Sequence, residues 1–259
     1  MEHLSVLTCF ILGIAAFVAG TIDTLAGGGG LIAVPALLMT GMNPVMALGT
    51  NKLQSAIGEL SASLHFIKMK KVNYAVLKTG LVFTIIGSVL GTLLLQVIPS
   101  DKLKVMIPAL LLAVLIYYIA GLRRHLDPAS FNENLIPCNK RFFALGSVIG
   151  FYNGFFGPGT GSIWIVSLIK VFKLNLKNAT MYAKPLNLAG NLSALSIFIA
   201  GGKINLLAAF LMGIGSFLGG KFGASMVIYK DIKWLKIIFL SLMIVSTVAT
   251  VFKYWILPP

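Results

Sequence analysis

Long, nearly unbroken apolar runs constrain this chain most. They fall at roughly 4–25, 45–66, 74–98, 103–121, 140–156, 177–199, 205–228 and 233–255. Most approach the ~20 residues that a helix needs to cross about 30 Å of hydrocarbon. In lipid only helices and closed barrels satisfy every backbone hydrogen bond, and barrel strands alternate apolar with polar residues. These runs do not alternate, so the fold class is all-α, a polytopic transmembrane helical bundle. Composition supports the same reading: 58% of the residues are hydrophobic and 11% charged, against roughly 25% charged in soluble domains. Two shorter apolar segments, 31–41 and 161–171, each follow a glycine-rich break. They read either as short crossings or as re-entrant half-helices. The first segment has no preceding lysine or arginine and no clear cleavage site, so a retained helix is expected.

The net charge of +14 does not point to nucleic acid, because the lysines and arginines cluster between apolar runs. That is the pattern of cytoplasmic loops in a membrane protein. Cys9 and Cys138 lie in an apolar helix and a polar loop and offer no disulfide framework. His3, His65 and His125 are dispersed and make no metal constellation, so neither metal nor cofactor is expected. Trp164, Trp234 and Trp255 sit near segment ends, which predicts an interfacial belt.

The chain also matches itself. A shift of 130 lays Gly20, Asp23, Gly27 and Gly29 over Gly150, Asn153, Gly157 and Gly159. A shift of 132 then lays Lys52, Gly58, Leu60, Ser61 and Ala62 over Lys184, Gly190, Leu192, Ser193 and Ala194. The same shift pairs Phe66 with Phe198, Asn73 with Asn205, Gly87 with Gly219, Gly91 with Gly223, and Leu103-Lys104 with Leu235-Lys236. Such internal duplication is frequent in transporters. Basic residues decide how the halves are related. Lys68, Lys70, Lys71 and Lys78 crowd one loop of the first half, whereas Lys203 stands alone in the equivalent loop of the second. Lys230, Lys233 and Lys236 crowd the following loop, and Arg123, Arg124, Lys140, Arg141, Lys170, Lys173 and Lys177 fill the central ones. If both short segments cross, each half has five spans, and two inverted repeats of about five helices each place every rich cluster in the cytoplasm. If neither crosses, the halves run parallel and two lysine-rich loops fall outside, so the inverted arrangement is expected. The expected organisation is a first repeat over 1–122, a cytoplasmic linker over 123–139 and a second repeat over 140–259.

Seven acids are present, and Glu2, Asp101, Asp127, Glu133 and Asp231 sit at a terminus or in loops. Asp23 and Glu59 lie inside apolar segments, where a charge costs at least ~2.5 kcal/mol on insertion scales. They are the candidates for proton coupling; the bland alternative is that they only pin helices together. Lys52 and Lys184 occupy matching repeat positions, roughly 5 Å either side of the midplane. Lys52, Ser55 and Glu59 follow i, i+3, i+7, and Lys184, Asn187 and Asn191 repeat the spacing, so each set shares a helix face. Snorkelling of the two lysines to the interface is the competing reading.

The break Gly27-Gly28-Gly29-Gly30 and its counterpart around Gly157, Gly159, Thr160 and Gly161 unwind a helix, since glycine disfavours the helical state by about 1 kcal/mol. The half-helix that follows presents amides and a positive dipole end, a setting that suits anions. Repeat-related broken helices are the sequence pointer to a transporter site. Gly87/Gly91 and Gly215/Gly219/Gly223 have GxxxG spacing and predict helix packing instead. The candidate substrate-binding set is therefore Lys52, Lys184, Asn51, Gln54, Ser55, Gly28, Gly29, Gly30, Gly159, Thr160, Asn187 and Asn191. Its expected ligand is a small anion, held within a lipid bilayer; a homo-oligomer is compatible with the sequence. The alternatives are a passive anion channel, an intramembrane enzyme, for which no nucleophile–base pair is visible, and thiol exchange, for which paired cysteines are lacking.

The stretch GTIDTLAGGGGLIAVP at 20–35, then ALGTNKLQ at 47–54, resembles the sulfite exporter TauE/SafE family. GFYNGFFGPGTG at 150–161 with Ala183-Lys184 is similar to that family's repeated motif. The resemblance covers nearly the whole chain and is strongest to a bacterial inner-membrane branch of transporters. It implies a multi-pass carrier of the bacterial plasma membrane that moves small, often sulfur-containing anions such as sulfite or organosulfonates. Asn153 departs from the pattern, because close relatives can carry an acid there to match Asp23.

Overall fold

The computed structural model describes residues 6–69, 72, 74–122, 138–229 and 233–256. Glu2, His3, Lys70, Lys71, Asn73, Arg123, Arg124, His125, Asp127, Glu133, Lys230 and Asp231, like most of the 123–139 linker, lie outside the described residues. The described residues form α1 (Val6–Ala26), α2 (Gly30–Met39), α3 (Pro44–Lys68), α4 (Lys78–Gln96), α5 (Ser100–Leu122), α6 (Asn139–Phe155), α7 (Thr160–Phe172), α8 (Leu176–Ala200), α9 (Leu206–Tyr229) and α10 (Lys233–Val251). No β-strand occurs among them. The helices follow the apolar runs to within a few residues. Their bounds also follow the repeat offset, since α3 and α8 are both 25 residues long and start 132 residues apart. Asn43 and Asn175 both cap them, accepting from the amides of Val45 and Asn178, two and three residues on respectively.

Polarity is distributed inside out. Lys52 and Lys184 are among the largest fully buried side chains, while Leu7, Phe10, Val148, Leu206, Phe210 and Phe222 are exposed. In water that arrangement fails; in hydrocarbon it is what burial of polar groups demands. Length and composition alone qualify Lys78–Gln96 and Leu206–Ile228 as spans. The central helices α3 and α8 have the length, but their inward polar stripes depress their hydropathy.

Glycine sets the packing. Gly215, Gly219 and Gly223 of α9 lie against Gly13, Phe17 and Thr21 of α1, both chains running the same way. Gly80, Gly87 and Gly91 of α4 lie likewise against Phe142, Ser147 and Phe151 of α6. Thus α4 packs against a helix from beyond the linker, and α9 against one from before it. The GxxxG spacing serves close helix approach, as expected.

The short helices turn back. Arg141, at the start of α6, donates to the carbonyl of Val171, at the end of α7, over 2.9 Å. So α6 and α7 form a hairpin with both outer ends on one face. By the same logic α1 and α2 form a hairpin from the other face: α1 runs parallel to α9, and the end of α2 shares a cavity with the start of α9. At 10 and 13 residues, α2 and α7 are about 15 and 20 Å long, too short to span. Proline shapes α2 further. Pro35 has no amide to offer the Leu31 carbonyl, and Ser246 of α10 donates to it instead over 2.7 Å.

The tryptophan expectation holds in part. Trp255 is exposed and donates to the Val105 carbonyl. Trp164 is fully buried, because α7 is a half-helix that keeps this residue inside the bundle rather than at an interface. The side chain of Trp234 lies outside the described set.

Candidate functional site

The two breaks lie directly on one another in the middle of the bundle. Gly27 takes φ 78°, a left-handed conformation that L side chains disfavour. A Cβ there would also strike Gly161 and Ser162. Ser162 fastens the contact by donating its amide to the Gly27 carbonyl (2.9 Å) and its hydroxyl to the Ala26 carbonyl (2.6 Å). Gly30 rests on Pro158, with the Asn51 amide beside it.

Each central helix delivers a lysine to the opposite break. Both Lys52 and Lys184 are the ninth residue of their helix, about 12 Å in at 1.5 Å per residue. The two helices run in opposite directions, so the ammonium groups reach the centre from opposite sides. Lys184 Nζ meets Asp23 Oδ2 at 2.8 Å and also donates to the Asp23 carbonyl. Asp23 Oδ1 accepts from the Gly29 amide at 3.1 Å, so this carboxylate joins break and lysine.

Lys52 is held differently. Its ammonium donates to the Asn153 carbonyl, to Asn153 Oδ1 (2.8 Å) and to Asn191 Oδ1 (3.1 Å). Asn191 Nδ2 donates onward to Glu59 Oε2 at 2.9 Å. Asn153 Nδ2 donates to Asn187 Oδ1 at 2.9 Å, and Asn187 Nδ2 donates to Glu59 Oε1. The five side chains close a ring with two arms. Both arms run from an ammonium that can only donate to a carboxylate that can only accept, and every amide between donates one way and accepts the other. Such chains polarise each link in turn. Lys52, Glu59, Asn153, Asn187 and Asn191 are all buried to within 4% exposure, so the charges are shielded by protein rather than by water.

The remaining predicted residues scatter. Gln54 donates to Ser216 of α9 at 2.8 Å and faces away from the ring. Ser55 bonds locally to Asn51 and Gln54 at 3.4 Å. Thr160 returns its hydroxyl to the Gly157 carbonyl, and Gly159 abuts Val114 of α5. Gly28 is buried in the break, and the Gly29 amide is already engaged by Asp23. Asn153, absent from the predicted binding set, is the ring's principal lysine ligand. Its match to Asp23 under the 130-residue shift was the signal for it.

Comparisons with known proteins identify the family. The sulfite exporter TauE/SafE family matches residues 12–250. A "Probable membrane transporter protein" of Haemophilus influenzae is 44% identical over 222 residues, covering 85% of each chain. The "Probable membrane transporter protein YfcA" of Escherichia coli K12 is 37% identical over 232 residues, covering 87% of this chain and 83% of its own. The "Probable membrane transporter protein YunE" of Bacillus subtilis is 27% identical over 240 residues, covering 83% and 87%. No solved structure matches the chain. With its polar core sealed beneath exposed apolar helix faces, the chain belongs to the sulfite exporter TauE/SafE family of membrane transporters.

Proposed function

We propose that the protein is a multi-pass carrier of the bacterial inner membrane that moves a small anion, sulfite or an organosulfonate being the leading candidates, with a proton as coupling ion. The observation that carries this reading is the Lys52 ammonium, sealed at a helix break and bonded to neutral acceptors alone. An anion arriving there would displace the Asn153 and Asn191 oxygens, which solvate the charge but do not neutralise it. Asn51, Asn187 and the glycine breaks would orient it. A channel fits less well, because Lys52, Lys184 and Glu59 are each at most 1% exposed and leave no wetted path through the centre. An enzyme fits less well too, since the buried charged side chains Lys52, Glu59 and Lys184 are all engaged in the ring or the ion pair.

Proton coupling follows from charge. Two ammonium and two carboxylate groups balance when all are ionised, so an anion added to this sealed cluster leaves an excess negative charge. A proton taken by Glu59 or Asp23 would cancel it.

The orientation rests on lysine. Lys68, Lys78, Lys140, Arg141, Lys170, Lys173 and Lys177 gather on the face where α3 ends and α8 begins, against Lys102, Lys104, Lys203 and Lys253 on the other. The richer face is the cytoplasmic one. Each half then sends a hairpin to the centre and back, followed by three complete traverses, with 123–139 as a cytoplasmic linker between repeats 1–122 and 140–259. This replaces five full crossings per half. The parity is unchanged, because a hairpin returns the chain to its starting face just as two crossings do, and so the halves remain inverted. Rocking of one half against the other would alternate access.

Counterflow in liposomes tests the proposal. Saturable sulfite or organosulfonate exchange is expected for the wild type and its loss for Lys52→Ala; wild-type rates in Lys52→Ala and Lys184→Ala proteins refute the site. A tag beside Lys203 that proves cytoplasmic refutes the orientation.

A further inference from the structure

A cavity of about 890 Å³ opens on the lysine-poor face, between the α2–α3 turn and the starts of α5 and α9. Its wall includes Met42, Asn43, Lys104, Asn205 and Tyr254. We infer that this cavity is the extracytoplasmic vestibule through which the small anion reaches Lys52, and that Thr50 is the latch at its floor.

Three observations converge on Thr50. It is fully buried, and its hydroxyl accepts from the Asn205 amide at 3.0 Å and donates to the Met42 sulfur at 3.7 Å. Asn205 and Met42 both line the cavity, so the hydroxyl ties two of its walls together. The next residue of α3, Asn51, faces Gly30 in the break, and Lys52 follows on the far side of the same turn, about 200° round the axis from Thr50. The vestibule and the buried ring are thus separated by about one turn of α3.

The wall suits an anion. Lys104 supplies a cation, and Asn43 and Asn205 cap α3 and α9, whose positive dipole ends open on the same space. Lys104 also donates to the exposed Asp101 at 2.9 Å, which offsets part of its charge.

The other half lacks such a latch. Tyr182 stands where the 132-residue shift places Thr50, and it packs into an apolar cluster with Trp164, Phe172 and Leu174. Phenol and indole plug the cytoplasmic side where a single hydroxyl closes the outer one.

What enters rests on the carrier reading, but the latch is testable without substrate. In a Cys9→Ser, Cys138→Ser background, Asn43→Cys reports on the mouth and Asn51→Cys on the space below Thr50. A membrane-impermeant maleimide applied to the outside of intact cells is expected to label Asn43→Cys quickly and Asn51→Cys slowly. Adding Thr50→Val, which keeps the shape and removes the hydroxyl, is expected to speed labelling of Asn51→Cys about fivefold, the population shift one lost hydrogen bond confers. Labelling of Asn43→Cys should not change. If Thr50→Val does not accumulate, Met42→Ala serves, with a smaller acceleration in the same direction. An unchanged Asn51→Cys rate in these variants refutes the latch, and labelling of Asn43→Cys only in inverted vesicles refutes the vestibule's orientation. Absence of anion transport by the wild-type protein, with this labelling pattern intact in the cysteine variants, would instead sink the anion-carrier reading and leave the vestibule standing.

Discussion

The two lysines hold equivalent places in the chain and in the fold, yet they keep unlike company. Lys184 is clamped by a carboxylate, and that carboxylate is itself held by the Gly29 amide. Lys52 is cradled by the amides of Asn153 and Asn191, and reaches its carboxylate, Glu59, only through them. One residue makes the difference: the break carries Asp23 in the first half and Asn153 in the second. A direct buried ion pair is costly to open, because each charge must then find other solvation. A lysine whose acceptors are neutral can exchange them for an anion without breaking a pair. On the proposed carrier reading, matching positions thus give a fixed strut at Lys184 and an exchangeable site at Lys52.

The strut should show first in stability. Lys184→Ala leaves Asp23 charged and unpaired, and a loss of about 3–5 kcal/mol is expected from breaking a buried pair on one side. Lys184→Met with Asp23→Asn should recover most of that loss, because no orphaned charge remains. Thermal unfolding in a mild detergent checks both. If the double variant is as unstable as the single one, the pair is not the reason the first break holds.

The exchangeable site should show in binding. Asn153→Asp copies the first break into the second and gives Lys52 a direct counter-charge. Anion affinity is expected to fall at least about tenfold, a change of about 1.4 kcal/mol, while the melting temperature holds or rises. Titration with sulfite and with methanesulfonate measures it. Equal affinity in the two proteins would mean that the neutrality of residue 153 is immaterial. Glu59→Gln is a milder perturbation. Glutamine presents an NH2 group where one asparagine donates, so one arm of the ring loses its acceptor, and about 1–3 kcal/mol of stability should go with it. Hydrogen exchange along α8 would show which arm opens.

Much of this was readable from residue spacing. Lys52 with Glu59, and Lys184 with Asn187 and Asn191, were placed on shared faces because seven residues nearly complete two helical turns. Glycine composition located both breaks. The expectation for Gln54 was weaker than the same geometry allowed, since two residues from Lys52 is about 200° around the axis and points to the opposite face. Its partner is Ser216 of α9. What spacing could not give was the facing element. A periodic stripe says that a side turns inward, not that Lys52 meets Asn153 while Lys184 meets Asp23. Those pairings depend on hairpins folding back across the centre, and each joins residues more than 100 positions apart. Trp164 shows the same limit: counting from the segment end places it at an interface, whereas α7 as a half-helix buries it.

The smallest expected effect concerns the turns after α2 and α7, again a repeat-related pair. Gly41 and Lys173 both take left-handed backbone, with φ of 88° and 56°. Glycine accepts that region freely, but a lysine there costs roughly 1 kcal/mol. Lys173→Gly should relieve this strain, offset in part by the greater freedom glycine gives the unfolded chain. A net gain of a few tenths of a kcal/mol is expected, close to the limit of what thermal unfolding resolves. Gly41→Ala should cost about 1 kcal/mol for the same reason, even though open space surrounds it. If Gly41→Ala is silent while Lys173→Gly destabilises, backbone strain is not what distinguishes the two turns, and the Lys173 side chain must be contributing at the lysine-rich face.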